Sequence, residues 1–109
     1  MRNEEIAEMF EKLANVLEFK GENPFKVNAY RKVARAVRDL TEDVATLVRE
    51  GRVREIPGVG EGTEKKIVQV ANTGRMDRLD EAMKGVPPGI LRMMEIPGVG
   101  PRTVAKELK

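Results

Sequence analysis

The six-residue sequence EIPGVG occurs twice, at residues 55–60 and at 95–100. Two glycines so close together are unfavourable inside a helix, so each copy is expected to form a turn between two helices. The proline stops the incoming helix, and the glycines permit a tight turn whose backbone no side chain covers. The helix that follows begins with amide groups that have no internal partners, at the positive end of the helix dipole. Each copy therefore predicts a site suited to an anion such as a phosphate.

Plain corners between helices would use the same residues, and this remains an alternative to anion binding. Four glycines are involved across the two copies: Gly58, Gly60, Gly98 and Gly100. Because both copies open a helix, we favour the anion site. The middle valine of each copy, Val59 or Val99, is expected to point inward and anchor the turn.

Other reactive groups are scarce in this sequence. The absence of Cys excludes disulfides and thiolate catalysis, and the absence of His excludes His-dependent triads and His metal sites. The net charge of +2 is unevenly distributed, since residues 26–38 carry bases and no acid. These bases are Lys26, Arg31, Lys32, Arg35 and Arg38. Such a run is typical of a solvated helix and equally of a surface for a polyanion.

Apolar residues recur at helical spacing, and no segment alternates with period two, so we predict helices and no strand. Thr41 is a capping candidate for the third helix, which ends before Gly51. The predicted helices cover about 4–20, 25–38, 41–50, 61–73, 75–84, 89–94 and 101–109. No apolar run reaches the roughly 20 residues of a membrane span, and no signal peptide is visible. We therefore expect a cytoplasmic protein without a membrane partner. We also expect a monomer.

Turns of this form between two helices resemble helix-hairpin-helix motifs, which bind the DNA backbone without reading its sequence. Four stretches make the resemblance more specific: NPFKVNAYRKVARAV at 23–37, REIPGVGEGTEKKI at 54–67, TGRMDRL at 73–79 and RMMEIPGVGPRTVAKEL at 92–108. Together they are similar to the N-terminal domain of family X DNA polymerases. Many repair proteins share the hairpins, and the KVNAYRK segment narrows the match to family X.

The resemblance implies an all-α fold, a compact helical bundle with two helix-hairpin-helix motifs. Its parts are N-terminal helices (1–51), a first motif (52–74), a connector (75–91) and a second motif (92–109), in which the sequence ends inside the last helix. It also implies a module that binds gapped or 5′-phosphorylated DNA in repair, without sequence preference. The aspartates that transfer nucleotides in this family lie well beyond this segment, so we expect no polymerase activity.

By the same resemblance, contacts with DNA or phosphate fall on the hairpin glycines and on basic or polar residues of several helices. They are Lys26, Arg31, Arg35, Gly58, Gly60, Gly62, Lys65, Arg78, Gly98, Gly100, Arg102 and Thr103. Gly62 and Arg78 stand where a lyase of the family has lysines. Phe25 likewise replaces a histidine, although an aromatic ring can still stack on a base.

Lyases of this family use a lysine amine to attack C1′ of a 5′-deoxyribose phosphate, and the Schiff base lets the phosphate leave by β-elimination. The resemblance assigns this amine to Lys66 and an orienting role to Tyr30. On the helix over 61–73, Lys66 lies just outside the apolar arc, whereas Lys65 points away from the core. An amine beside the core and among other cations is easier to deprotonate. The alternative is a boundary lysine that extends to water, so lyase activity stays an open expectation.

Helix-hairpin-helix motifs of this family also bind a monovalent cation through main-chain carbonyls, and we expect Na⁺ or K⁺ here with no required cofactor. The matching carbonyls are those of Arg54, Ile56, Val59, Met94, Ile96 and Val99. Two other interpretations remain open. One is a structural or protein-interaction bundle in which the hairpins are corners, and the other is a reconstructed or designed protein with the same tandem motifs.

Overall fold

The computed structural model describes residues 1–94, and within that range every regular element is helical, which confirms the all-α prediction. The α-helices are α1 (Asn3–Phe19), α2 (Pro24–Asp39), α3 (Val44–Arg49), α4 (Glu61–Thr73), α5 (Asp77–Met83) and α6 (Pro88–Met94). A single turn of 3₁₀-helix, Val53–Glu55, lies between α3 and α4. No helix in the described range is both long enough and apolar enough to cross a membrane.

Helices α1 and α2 form an antiparallel pair around which the shorter helices are arranged. α5 packs against α1, while α4 contacts α1, α3 and the 3₁₀ turn. The core is aliphatic with one central aromatic ring, since Phe10 is completely buried, and no polar side chain of the described part is buried with it. Because this core consists of one apolar face from each helix, the amphipathic pattern of the sequence sets the arrangement.

The start of α2 is fixed by its own sequence. Asn23 Oδ1 accepts a hydrogen bond from the Phe25 N–H at 2.8 Å, and Pro24 occupies the first helical position. Asparagine is a favoured N-cap, and proline costs nothing at a position whose N–H would be unpaired. The chain therefore turns sharply from α1 into α2 and presents the basic residues of α2 from its first turn.

The predicted start of α3 near Thr41 is wrong, because the helix begins at Val44 with Asp43 as its N-cap. The cap comes from a distant residue instead. Asn3 Oδ1 accepts a hydrogen bond from the Val44 N–H at 3.0 Å, and Asn3 Nδ2 donates to the Glu42 carbonyl at 2.9 Å. An amide at the start of α1 thus does the work that a local Ser or Thr would otherwise do.

Candidate nucleic-acid interface

The first EIPGVG copy forms a compact turn between the 3₁₀ turn and α4. The Val59 N–H donates to the Ile56 carbonyl at 3.1 Å, and Ile56 is buried, so the turn is fixed to the core. Val59 is half-buried against that core, which agrees with its predicted inward direction. Gly58 has φ +86°, a left-handed conformation that other residues rarely adopt. Gly60 is extended, with φ −106° and ψ −168°, so only Gly58 of the two needs to be glycine for the turn itself.

The α4 helix starts without a side-chain cap from any described residue. Its first backbone hydrogen bond runs from the Glu64 N–H to the Gly60 carbonyl at 2.9 Å, so the amides of residues 61–63 precede the helix's own bonds. A Cβ placed on Gly60 or Gly62 would meet no described atom within 4 Å. The turn is therefore uncrowded, and these amides lie at the positive end of the helix dipole, an arrangement that suits an anion.

Two carboxylates in the first turn of α4, those of Glu61 and Glu64, would repel an anion bound there. Glu64 is balanced by Arg54, whose Nε lies 3.2 Å from Glu64 Oε1. Glu61 is exposed and has no ion pair within residues 1–94. The start of α4 thus attracts an anion through its amides and dipole and repels it through Glu61.

Main-chain carbonyls of the same turn could serve a cation. A 3₁₀ turn continuing past Glu55 would give the Arg54 carbonyl a hydrogen bond from residue 57, but Pro57 has no N–H. The Ile56 carbonyl accepts from Val59 and keeps a second lone pair. The carbonyls of Arg54 and Ile56 therefore keep lone pairs of the kind that a hard cation binds, and the predicted ion at Arg54, Ile56 and Val59 stays a prediction. Acidic residues do not supply an alternative, because no cluster of three metal-ligating side chains occurs in the described range.

Lys66 and Tyr30, which the resemblance assigns to one site, do lie together. Lys66 Nζ is 5.8 Å from the centroid of the Tyr30 ring, a cation–π distance. The same amine lies 3.4 Å from the Gly62 carbonyl, to which it donates. Both side chains are half-buried, whereas Lys65 is exposed on the outer face of α4, as predicted. The structure thus brings an amine and a phenol to one point beside the hairpin.

The other predicted cations are more dispersed. Lys26 is exposed in the first turn of α2, one turn before Tyr30, and Arg78 is half-buried on α5. Phe25, next to Lys26, is 85% exposed, which is unusual for a large aromatic side chain. Its ring is therefore open to solvent and not part of the core, which its residue type alone did not show.

Arg31, Arg35 and Arg38 gather on one face of α2, as the sequence predicts, and line a cleft of about 260 Å³ against α1. Two of these arginines already form ion pairs with carboxylates of α1. Arg31 contacts Glu18 at 2.8 Å and Asn15 at 3.2 Å, and Arg38 pairs with two α1 carboxylates, Glu4 and Glu11. The guanidinium of Arg31 thus links α2 to α1. Its predicted contact with a phosphate stays a prediction, and that phosphate would compete with Glu18 for the guanidinium.

Arg52 makes another group of ion pairs at the entrance to the hairpin. Its guanidinium contacts Glu42 at 3.2 Å, Glu50 at 2.7 Å and Glu55 at 2.9 Å. Hydrogen bonds from Arg52 hold the pKa of the Glu55 carboxyl below its ordinary value, and the pKa of Arg52 is raised, first through Glu55. Because Glu55 is the first residue of the EIPGVG turn, this cluster ties the hairpin to the ends of α3.

The second copy of the repeat lies outside the described residues. This applies to the predicted contacts at Gly98, Gly100, Arg102 and Thr103 and to the carbonyls of Ile96 and Val99. Met94, the remaining carbonyl of that set, is the last residue of α6 and is buried.

Known proteins share this sequence pattern. A family model described as a helix-hairpin-helix domain matches residues 1–76. The DNA polymerase/3′-5′ exonuclease PolX of Bacillus subtilis (strain 168) is 34% identical over all 109 residues of the chain, which spans 19% of that protein's length. The similarity lies in the N-terminal region of PolX, a family X DNA polymerase, as the resemblance implied. With its hairpin in place and most of its length matched by the family model, the chain belongs to the helix-hairpin-helix domain family.

Proposed function

We propose that this protein is a DNA-binding module that holds the DNA backbone without reading base sequence. The observation that carries the proposal is the uncapped start of α4. It follows directly after a turn in which Gly58 adopts a left-handed backbone conformation. A backbone phosphate would accept hydrogen bonds from the amides of residues 61–63. Phosphate contacts position a protein on DNA but do not specify a sequence.

The similarity to PolX of Bacillus subtilis supports the same proposal, since that protein is a DNA polymerase. The proposed ligand is gapped or 5′-phosphorylated DNA in repair. The module would hold this DNA as part of a larger family X polymerase. Lys26, Lys65 and Arg78 would add contacts with neighbouring phosphates, and Phe25 would stack on an unpaired base at the gap. A Na⁺ or K⁺ ion at the carbonyls of Arg54, Ile56 and Val59 would offset phosphate charge at the hairpin.

A second candidate function, deoxyribose-phosphate lyase activity, is favoured by the contact between Lys66 and Tyr30. Neutral Lys66 would add its nitrogen to the C1′ aldehyde and lose water to form an imine. Loss of a proton from C2′ would then break the C3′–O bond, and the DNA strand would leave with its phosphate. Tyr30 would orient the amine, and Lys26 would hold the 5′-phosphate.

Salt dependence of DNA binding tests the proposed function. Fluorescence anisotropy with two duplexes of unrelated sequence is expected to give equal affinities and a plot of log K against log salt with a negative slope. Each neutralised phosphate contributes about 0.9 to that slope. Affinity that is flat from low to moderate salt would leave the hairpins as corners of a structural bundle. Affinity that differs strongly between the two duplexes would contradict binding without sequence preference.

A further inference from the structure

We infer that Lys32, and not the arginines beside it, is the α2 cation that contacts the DNA phosphate at the hairpin. This inference rests on the proposed function and identifies which face of the basic α2 helix meets DNA. Neither the resemblance nor the sequence pattern singles out Lys32 from the five bases at 26–38.

The placement of the hairpin on α2 carries the inference. A Cβ built on Gly58 would lie 3.8 Å from both Cγ and Cδ of Lys32 and 3.6 Å from a methyl group of Val33. The aliphatic stem of Lys32 therefore runs along the turn at its left-handed glycine. Its ammonium group lies two bonds beyond Cδ, and the residue is exposed. The stem of a lysine can pack in this way while its charged end stays in water.

The arginines of α2 project elsewhere. Successive helical residues are rotated by about 100°, so Lys32 and Arg31 point in different directions. Arg31, Arg35 and Arg38 line the cleft against α1, where Glu18 holds Arg31 and the pair Glu4 and Glu11 holds Arg38. Lys32 has no ion pair among the described residues, so binding a phosphate would not require it to leave a carboxylate.

The arrangement also has an electrostatic advantage. Glu61 places a negative charge in the first turn of α4, next to the amides that would bind the phosphate. A lysine fixed beside Gly58 supplies an opposite charge at the same turn. Lys32 would thus add a positive charge at this turn that no described carboxylate already neutralises, whereas Arg54 is paired with Glu64.

A pair of charge-matched variants tests the inference. Lys32→Met keeps an unbranched stem against Gly58 and removes the charge, while Lys12→Met removes the same charge from the side of α1 that faces α6. For Lys32→Met we expect the slope of log K against log salt for duplex binding to fall by about 0.9. The factor by which affinity drops between 50 and 200 mM salt then becomes about 3.5-fold smaller. Lys32→Arg should keep the wild-type slope, and Lys12→Met should leave it unchanged.

Two results separate the inference from the proposed function. If the wild type binds in a salt-dependent way but Lys32→Met keeps the same slope, the role of Lys32 is overturned and the proposed function stands. The same holds if both methionine variants lose equal amounts of slope. A wild type without salt-dependent binding overturns both. Circular dichroism checks folding, and Lys32→Gln, which is neutral with a shorter stem, repeats the test if Lys32→Met loses helical signal.

Discussion

The amine of Lys66 on α4 lies 5.8 Å from the centre of the Tyr30 ring on α2. Tyr30 is held in turn by the core, since its ring lies 6.1 Å from that of Phe10 with the two planes tilted by 34°. A cation above an aromatic face is attracted by about 0.5–1 kcal/mol at an exposed site. This contact favours a position of the Lys66 amine over the Tyr30 ring, between α4 and α2.

Substitution of Lys66 is expected to abolish covalent trapping on abasic DNA. With a nicked abasic duplex and borohydride, the wild type should form a reduced adduct, and Lys66→Ala should lose most of it. The reason is that only an amine can form the Schiff base. Because Gly62 and Arg78 replace lysines found in a lyase of the family, a weak wild-type signal is expected. Trapping is quantified on denaturing gels.

The matched control is Lys65→Ala on the same helix, which should retain the adduct because that side chain is exposed on the outer face. Tyr30→Phe keeps the ring and should slow trapping less than loss of the amine does. An adduct of unchanged yield in Lys66→Ala would assign the reaction to another amine. DNA binding without any adduct would leave the binding function alone.

Gly58→Ala is expected to destabilise the fold by about 1–2 kcal/mol, the cost of a left-handed L-residue. The strain is conformational, since the added Cβ would meet Val33 and Lys32 only at ordinary contact distances. Gly60→Ala is the control, because its backbone is extended and its Cβ would face open space, so a change within about 0.5 kcal/mol is expected. Urea unfolding measures both, and equal effects would show that Gly58 is not the constrained position.

The helices and the position of the hairpin could be predicted from sequence, because both depend on local pattern. Residues 4–20 show the apolar period of α1, and Asn23-Pro24 marks the turn into α2. The pairing of Lys66 with Tyr30 could be expected only from the resemblance to a family. The distinction between Gly58 and Gly60 could not be made, since glycine in a turn does not reveal which φ it adopts.

Contacts between distant residues were beyond the sequence. Asn3 caps α3 from the start of α1, so the local capping candidate Thr41 was misleading. The basic run of α2 likewise gave no sign that Arg31 would pair with Glu18 of α1. The sequence also could not distinguish Lys32 from the other bases of α2, because its proposed role depends on where Gly58 packs. Such pairs arise from helix packing, which pattern and propensity alone do not determine.

Glu61→Gln is expected to strengthen DNA binding. Removing a negative charge from the first turn of α4 relieves repulsion of the phosphate, and charges at helix ends are worth about 0.3–1 kcal/mol, or roughly a two- to fivefold change in affinity. Glu8→Gln removes an exposed charge from the side of α1 that faces α6 and is the control for net charge. Anisotropy titrations at low salt measure the change, and a Glu61→Gln affinity no higher than that of Glu8→Gln would place the phosphate elsewhere.

Acid is expected to weaken the fold in part through Glu55. Arg52 holds the pKa of Glu55 below its ordinary value of 4.5. A carboxyl whose folded pKa is depressed contributes stability above its unfolded pKa and loses it as the pH falls through the folded pKa. Urea midpoints measured from about pH 7 to pH 3 should therefore fall less steeply for Glu55→Gln than for the wild type. If the urea midpoints of the two proteins fall equally with decreasing pH, the ion pair between Arg52 and Glu55 does not contribute to folding stability.

The most direct test of the central claim is a nitrogen–proton NMR titration of the protein with a short duplex. If the start of α4 binds a backbone phosphate, the amides of Gly60, Glu61, Gly62 and Thr63 should show the largest shifts, and these should shrink as salt is added. Shifts confined to the arginine cleft of α1 and α2, with the amides of residues 60–63 unmoved at saturation, would contradict the account.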